Sequence, residues 1–323
     1  MNYKKIVICG GGVLGSQIAF QCAYQGYNTV ILIRKEDNKE EVKTKLKKLY
    51  STYLEAIKLM SVKNARNSGN WCRGIANPLE KFSKKEAISK TKNALKNISI
   101  IDDQKEAVSN ADLIIESITE NFDIKAALYK ELAPLLGENT VIVTNSSTLL
   151  PSKLAKYTGR PEKYLSLHFA NSIWKNNIAE VMKHSKTDDK YFEEIIEFAK
   201  SINMIPLAAK EEKSGYLLNS MLVPFLLCAM DLLANGVSDV ETIDKAWELG
   251  TGAPKGPFKI IDTVGLETAK NIVMQYQKVP DLLDPLFKKM LLPYNYDGML
   301  KILNEYIEKG KIGKSVGEGF YKW

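Results

Sequence analysis

The sequence predicts an α/β fold in two parts: an N-terminal domain on a doubly wound sheet, carrying a helical-hairpin insert, and an all-helical C-terminal domain. Three observations predict it. Short, unbroken apolar runs ending at glycines or polar turns recur from residue 5 to about residue 207, as buried parallel strands require. Helix-period segments alternate with those runs. After about Lys210 the strand signals stop, which divides the chain into residues 1–211 and 212–323. A chain of 323 residues also exceeds a comfortable single core.

The elements follow in order. Residues 5–9 (KIVIC) form a buried strand, residues 14–25 a helix that Gly26 ends, and residues 29–33 (TVILI) a second strand. Strand, helix and strand within about 30 residues make a right-handed βαβ unit. Residues 40–97 are lysine-rich and helical in period, broken at 67–71 (NSGNW), which predicts a long helical hairpin after the second strand. Strands resume at 111–116 (ADLIIE), 140–144 (TVIVT) and 164–169 (YLSLHF), with shorter ones at 178–182 and 205–207. Beyond them, residues 214–234 read as one apolar helix closed by Asn235 and Gly236. Ser238 and Glu241 form a capping box that opens the next helix, and Gly250 ends it.

Composition narrows the function classes. Hydrophobic residues make up 45% and charged residues 26%, the balance of an ordinary globular chain. The longest apolar run, residues 221–230, contains Pro224 and stops at Asp231, so no membrane partner is expected. The net charge of +7 fits simple solubility or the handling of polyanionic small molecules such as dinucleotides and acyl-CoA. The lysines are spread among glutamates with no recognition motif, so nucleic acid is not an expected partner. Cys9, Cys22, Cys72 and Cys228 are scattered, which predicts reduced thiols in a cytoplasmic protein. With His168 and His184 the only histidines, no metal site is expected. The opening MNYKKIVICGGG enters a strand at once and leaves no room for a signal peptide.

Gly10-Gly11-Gly12-Val13-Leu14-Gly15 is a G-x-G-x-x-G motif between the first strand and its helix. Gly10 permits the tight turn, Gly12 lets the backbone approach a pyrophosphate, and Gly15 lets helix and strand pack closely, with Val13 and Leu14 at the helix start. Helix N-terminal amides then meet the phosphate charge. At this place in a βαβ unit the motif predicts a Rossmann-type dinucleotide site. The second strand ends Ile33-Arg34-Lys35-Glu36-Asp37, where an acid would bind a ribose 2′-hydroxyl and an arginine a 2′-phosphate. Arg34 therefore puts NADP(H) beside NAD(H), with NADPH used at least as well as NADH. The alternative is that Arg34 covers the adenine while Glu36 or Asp37 takes the hydroxyl.

Hydride transfer to a ketone needs a proton donor at the carbonyl oxygen, and histidine titrates in the useful range. His168 ends a strand on the carboxyl side of the sheet, where doubly wound folds bind ligands. If residues 164–169 and 178–182 form a hairpin centred near Trp174, His168 and Glu180 face each other, and the carboxylate orients the ring and stabilises its cation. His184 has no such context and reads as a surface residue.

Further segments carry a resemblance: IIESITENFDIK at 114–125, TNSSTL at 144–149, LHFAN with the later AEV, YLLNSMLVP, GAPKGPF and the C-terminal GKSVGEGFYKW. Over nearly its whole length the chain resembles the L-3-hydroxyacyl-CoA dehydrogenase family, nearest to a diketoreductase-like branch. The resemblance implies that His168 is the acid/base and Glu180 its partner, with Ser147 and Asn219 near the reacting oxygen. It implies Glu120 and Lys125 near the nicotinamide ribose, Asn145 among the cofactor-binding residues, and a homodimer through the helical domain. On residue type alone, Ser147 also fits a turn, Asn219 a helix–helix hydrogen bond, and Glu120 with Lys125 a helix-start charge pair. Two departures stand out. The family's HFFNP is His168-Phe169-Ala170-Asn171-Ser172 here, which predicts a reshaped substrate pocket, and Arg34 replaces the family's aspartate.

The expected reaction is interconversion of a 3-hydroxyacyl-CoA, short chain favoured, and its 3-keto form with a nicotinamide cofactor. The alternative is a ketoreductase for free 3-keto or 3,5-diketo acids and esters. A non-enzymatic dinucleotide-binding structural or sensor protein is a third reading, which His168, Glu180, Ser147 and Asn219 together argue against.

Overall fold

A strand that is apolar on both faces must be covered on both, and the first unit is built on that requirement. The computed structural model describes residues 3–66, 69–277 and 294–323. It divides into two units, Met1–Leu217 and Leu218–Trp323. In the first, β1 (Lys5–Cys9), β2 (Asn28–Leu32), β3 (Ile98–Ile101), β4 (Leu113–Glu116), β5 (Val141–Thr144), β6 (Tyr164–Phe169), β7 (Ile178–Met182) and β8 (Ile205–Ala209) form one sheet. Its order is β3-β2-β1-β4-β5-β6-β7-β8. Pairing is parallel from β3 through β6; β7 then runs antiparallel to β6 and parallel to β8.

Alternation along β1 shows how the two faces are used. Ile6 and Ile8 join the core beneath α1 (Val13–Tyr24), α2 (Lys39–Met60), α3 (Lys84–Lys96) and α7 (Asp189–Ser201). Val7 and Cys9 join the opposite core, with Tyr129 and Leu132 of α5 (Phe122–Leu132) and Leu154 of α6 (Pro151–Leu154). A short α4 (Gln104–Val108) follows β3. The hairpin insert is α2 and α3, capped at their starts by Asn38 and Ser83. Its predicted break at 67–71 falls partly on residues 67–68, outside the described residues. The sequence reading passes over β3, because an edge strand that carries Ser99 and is only half-buried shows no unbroken apolar run.

In the second unit, α8 (Leu218–Ala234), α9 (Val240–Thr251), α10 (Pro257–Val264), α11 (Leu266–Gln277) and α12 (Tyr296–Glu308) surround Leu227, Met230, Phe258, Ile261, Met299 and Leu303. The C-terminal tail is tied down by Asp262, whose carboxylate accepts bonds from Phe320 N, Tyr321 N and Trp323 Nε1 at 2.8, 2.9 and 2.9 Å. No helix among the described residues is long and apolar enough to cross a membrane.

Several boundaries differ from those read in the sequence. α8 starts at Leu218 and not at 214, because Gly215 and Tyr216 hold φ of 82° and 52°, in the left-handed region that no helix start tolerates. The chain divides into compact units at 217/218, six residues beyond the 211/212 division read in the sequence. Gly215 N donates back to Ser147 O and Leu217 N to Glu180, so this segment belongs to the sheet unit. Asp239, not Ser238, caps α9, accepting from Thr242 N, and the left-handed residue that ends it is Gly252 (φ 72°), not Gly250.

At Gly10 and Gly15 the first βα turn leaves no space for a side chain. Gly10 has φ +110°, and a Cβ added at Gly15 would lie 2.2 Å from the Gly10 carbonyl oxygen. Gly15→Ala is therefore expected to lower stability by about 1–3 kcal/mol through overpacking. Urea-unfolding midpoints without added cofactor measure this, and an unchanged midpoint would mean the turn relaxes at no cost.

Candidate active site

The glycine turn opens onto a cleft of about 950 Å³ at the carboxyl ends of β1, β2 and β4, lined by Gly10, Gly12, Ile33, Asp37 and Ser117 among others. A Cβ at Gly12 would meet nothing within 4 Å, so its backbone faces open space. No side chain among the described residues caps α1, which leaves its first amides available to an anion. Val13 is exposed there, while Leu14 packs against the core. The cleft thus fits a dinucleotide: an open glycine backbone, uncapped amides, and a strand tip with polar groups.

That tip differs from a lone arginine. Arg34 is exposed, and its Nη2 donates to Asp37 Oδ1 at 2.8 Å while its backbone N donates to Asp37 Oδ2 at 2.9 Å. Arg34 Nη1 also lies 3.3 Å from Glu36 Oε1. Hydrogen bonding to Asp37, with the charges of Asp37 and Glu36, raises the Arg34 pKa.

Behind the cleft lies a buried acid that the sequence reading misses. Glu116 ends β4 with no exposure, and four donors meet its carboxylate: Lys125 Nζ at 2.5 Å, Thr144 Oγ1 at 2.7 Å, Tyr129 OH at 2.8 Å and Ile118 N at 2.9 Å. The only signal was a charge closing an otherwise apolar run. Lys125 is buried in this network, with Glu120 Oε2 at 3.4 Å on its other side. Glu120 in turn accepts from Ser146 Oγ at 2.6 Å and from Thr148 N and Oγ1 at 2.8 Å each. Burial alone would raise the Glu120 pKa. The Ser146 bond, the Lys125 charge and the Thr148 bonds outweigh it and hold the group below its ordinary value.

The turn that Glu120 pins, residues 146–149, carries Ser147 beside the histidine. His168 is buried near the end of β6, and the β6/β7 register sets it opposite Glu180. Its Nδ1 is 2.9 Å from Glu180 Oε2 and its Nε2 is 3.1 Å from Ser147 Oγ. The other Glu180 oxygen accepts from Leu217 N at 2.9 Å. Asn145 fastens the neighbouring strand ends, its Oδ1 accepting from Phe169 N at 2.9 Å. His168, Glu180 and Ser147 thus stand together, while Asn219 lies half-buried in the first turn of α8, in the second unit. A second residue missed in the sequence, Tyr216, stacks on the His168 ring.

His184 is not on the surface. A turn in which His184 N donates to Thr187 Oγ1 at 3.1 Å, and Thr187 Oγ1 to Tyr164 O at 2.8 Å, folds it inward to 4% exposure. Burial holds its pKa below the ordinary value.

The family model described as 3-hydroxyacyl-CoA dehydrogenase, NAD binding domain, matches residues 5–70 and 57–212, and its C-terminal domain counterpart matches residues 215–323. The chain is 32% identical over 327 residues to the mitochondrial hydroxyacyl-coenzyme A dehydrogenase of Sus scrofa, covering 99% of this chain and 91% of that protein. It is 26% identical over 320 residues to a 3-hydroxybutyryl-CoA dehydrogenase of Bradyrhizobium diazoefficiens, covering 99% and 95%. Among solved structures, a diketoreductase described for substrate-directed dual catalysis of dicarbonyl compounds is 41% identical with a TM-score of 0.81, both chains covered in full.

Because the folded-state pKa of Glu120 lies below its ordinary 4.5, its contribution to stability is present above that value and lost as pH falls through the lower one. Wild type should exceed Glu120→Gln in urea midpoint near neutrality, and the gap should close as pH falls below the ordinary value of 4.5. A gap that stays constant with pH would mean the carboxylate charge is not what pins the 146–149 turn.

Proposed function

Because this chain belongs to the 3-hydroxyacyl-CoA dehydrogenase family, NAD-dependent oxidoreductases acting on CH–OH groups, we propose that it interconverts short-chain 3-hydroxyacyl-CoA thioesters and their 3-keto forms, with His168 as acid/base. The observation that carries this reading is His168 held at Nδ1 by Glu180 and met at Nε2 by the Ser147 hydroxyl. The carboxylate accepts the Nδ1–H, which assigns the tautomer and leaves Nε2 as the base. Nε2 takes the proton of the C3 hydroxyl in oxidation and returns it to the C3 oxygen in reduction. Glu180 stabilises the imidazolium formed in between. Ser147 polarises the C3 oxygen, a role that the family resemblance also gives Asn219. The nicotinamide, when bound, supplies or accepts the hydride. Gly10, Gly12 and the amides at Val13 and Leu14 hold the pyrophosphate, and Gly15 keeps that turn tight. Glu120 and Asn145 border the nicotinamide ribose, while Lys125 acts from behind by fixing Glu116 and Glu120.

A ketoreductase acting on free 3-keto or 3,5-diketo acids and esters is the second reading. The identity of 41% with a diketoreductase over the full chain favours it. So does the His168-Phe169-Ala170-Asn171-Ser172 run, in which Ser172 turns left-handed (φ 59°). For the nucleotide, the carboxylates of Glu36 and Asp37 pair with Arg34 at the strand tip, which weakens its pull on a 2′-phosphate and favours NADH over NADPH. A homodimer is supported by the family and by Met221, Trp247 and Leu249, exposed on the helical unit. Four free thiols suit the cytoplasm.

His168→Ala is expected to lose about 10²–10⁴-fold in turnover while NADH binding holds. Oxidation of NADH with acetoacetyl-CoA and, separately, a free diketo ester tests the chemistry and decides between the two substrate readings. A variant within about tenfold of wild type would overturn the acid/base role.

Asp37→Asn removes one counter-charge of Arg34. NADPH should gain roughly two- to fivefold in kcat/KM relative to NADH, the scale of one exposed ion pair. Wild type preferring NADPH would show that Arg34 leaves Asp37 for the phosphate.

A further inference from the structure

Tyr216 has a conformation that its own side chain opposes. Its φ is 52°, left-handed, where a bulky residue persists only if its surroundings impose it. Three contacts impose it. The ring lies on the His168 imidazole with centroids 4.7 Å apart and planes at 11°. The phenol OH donates to Ser146 O at 2.8 Å. The left-handed turn at Tyr216 aims the next backbone amide, Leu217 N, at Glu180 Oε1, 2.9 Å away. The same segment is stitched to the serine turn, with Gly215 N donating to Ser147 O at 3.2 Å and Ser214 Oγ to Thr148 O at 2.9 Å.

We propose that Tyr216 is a positioning residue for the acid/base, an inference that rests on His168 having that role. Ser147 fixes one ring nitrogen of His168 and Glu180 the other, yet two in-plane bonds still allow the imidazole to rock about the line joining them. A parallel aromatic face at 4.7 Å closes that motion from one side. The turn that seats the ring also engages the second oxygen of Glu180, which opposes rotation of the carboxylate away from Nδ1. One residue therefore sets the imidazole plane and the orientation of its partner. The bond from OH to Ser146 O keys both to the strand end that carries Ser147. With the ring at 1% exposure, this face of the base is also closed to water.

The test compares Tyr216→Phe, Tyr216→Leu and Tyr216→Gly in the full chain, each alone and combined with His168→Ala. Phe keeps the stacked ring, Leu removes it, and Gly removes it while accepting the left-handed backbone without strain, so a folded variant is available if Leu does not fold. Leu and Gly are expected to lose about 10- to 100-fold in kcat, the scale of a misplaced catalytic group, with Phe within about threefold of wild type. NADH affinity, read by its fluorescence, should stay within about twofold in all three. In the His168→Ala background the Leu and Gly losses should vanish, because a residue that acts through the imidazole has nothing left to act on. Wild-type kcat in Tyr216→Leu or Tyr216→Gly would overturn the proposal, as would an equal loss with and without His168. A fully active His168→Ala would instead overturn the acid/base reading, and this inference with it.

Discussion

A carboxylate cut off from water must have its charge met by neighbours, and the first unit depends on one such group. Glu116 closes the central strand β4, and the donors around it come from the following loop, from α5 and from the adjacent strand β5. Removing Lys125 would leave Glu116 buried without a counter-charge, a loss of about 3–5 kcal/mol. From it the order spreads outward. Lys125 reaches from Glu116 to Glu120, Glu120 pins the turn at 146–149, and that turn presents Ser147 to His168. The histidine is thus located by a chain of charge-assisted bonds that starts in the middle of the sheet.

The second constraint is the reversal of β7. A parallel neighbour of β6 would need a long crossover, whereas an antiparallel one follows through a short loop and sets residues in facing pairs. His168 and Glu180 are such a pair, twelve residues apart in sequence and bonded across the strands. Nδ1 is therefore committed by backbone geometry, and only Nε2 is left for chemistry.

Much of this was legible in the sequence because it rests on period and spacing. The glycine turn, the buried strands, the helical insert and the facing of His168 with Glu180 all follow from apolar runs and from counting across a hairpin. What was not legible depends on tertiary context. An acid at the end of an apolar strand looks like the strand simply ending, so Glu116 gave no sign of being buried with four donors. Tyr216 lies in a left-handed turn that sequence assigns to glycine or asparagine, and was absorbed into the helix that follows. His184 was misread because the turn that folds it inward closes through Thr187 onto Tyr164, a contact twenty-three residues away in sequence. At the strand tip the sequence offers Glu36 and Asp37 as partners for the ribose, and only the fold shows them paired with Arg34.

The β6/β7 pairing also limits how this site can change over evolutionary time. Side chains alternate between faces along a strand, so a slip of β7 by one residue against β6 would send Glu180 to the side away from His168. Exchanges of residue type in that loop leave the register intact. Substitutions across 170–177 can therefore accumulate, while any change that slips β7 by one residue parts the histidine from its carboxylate.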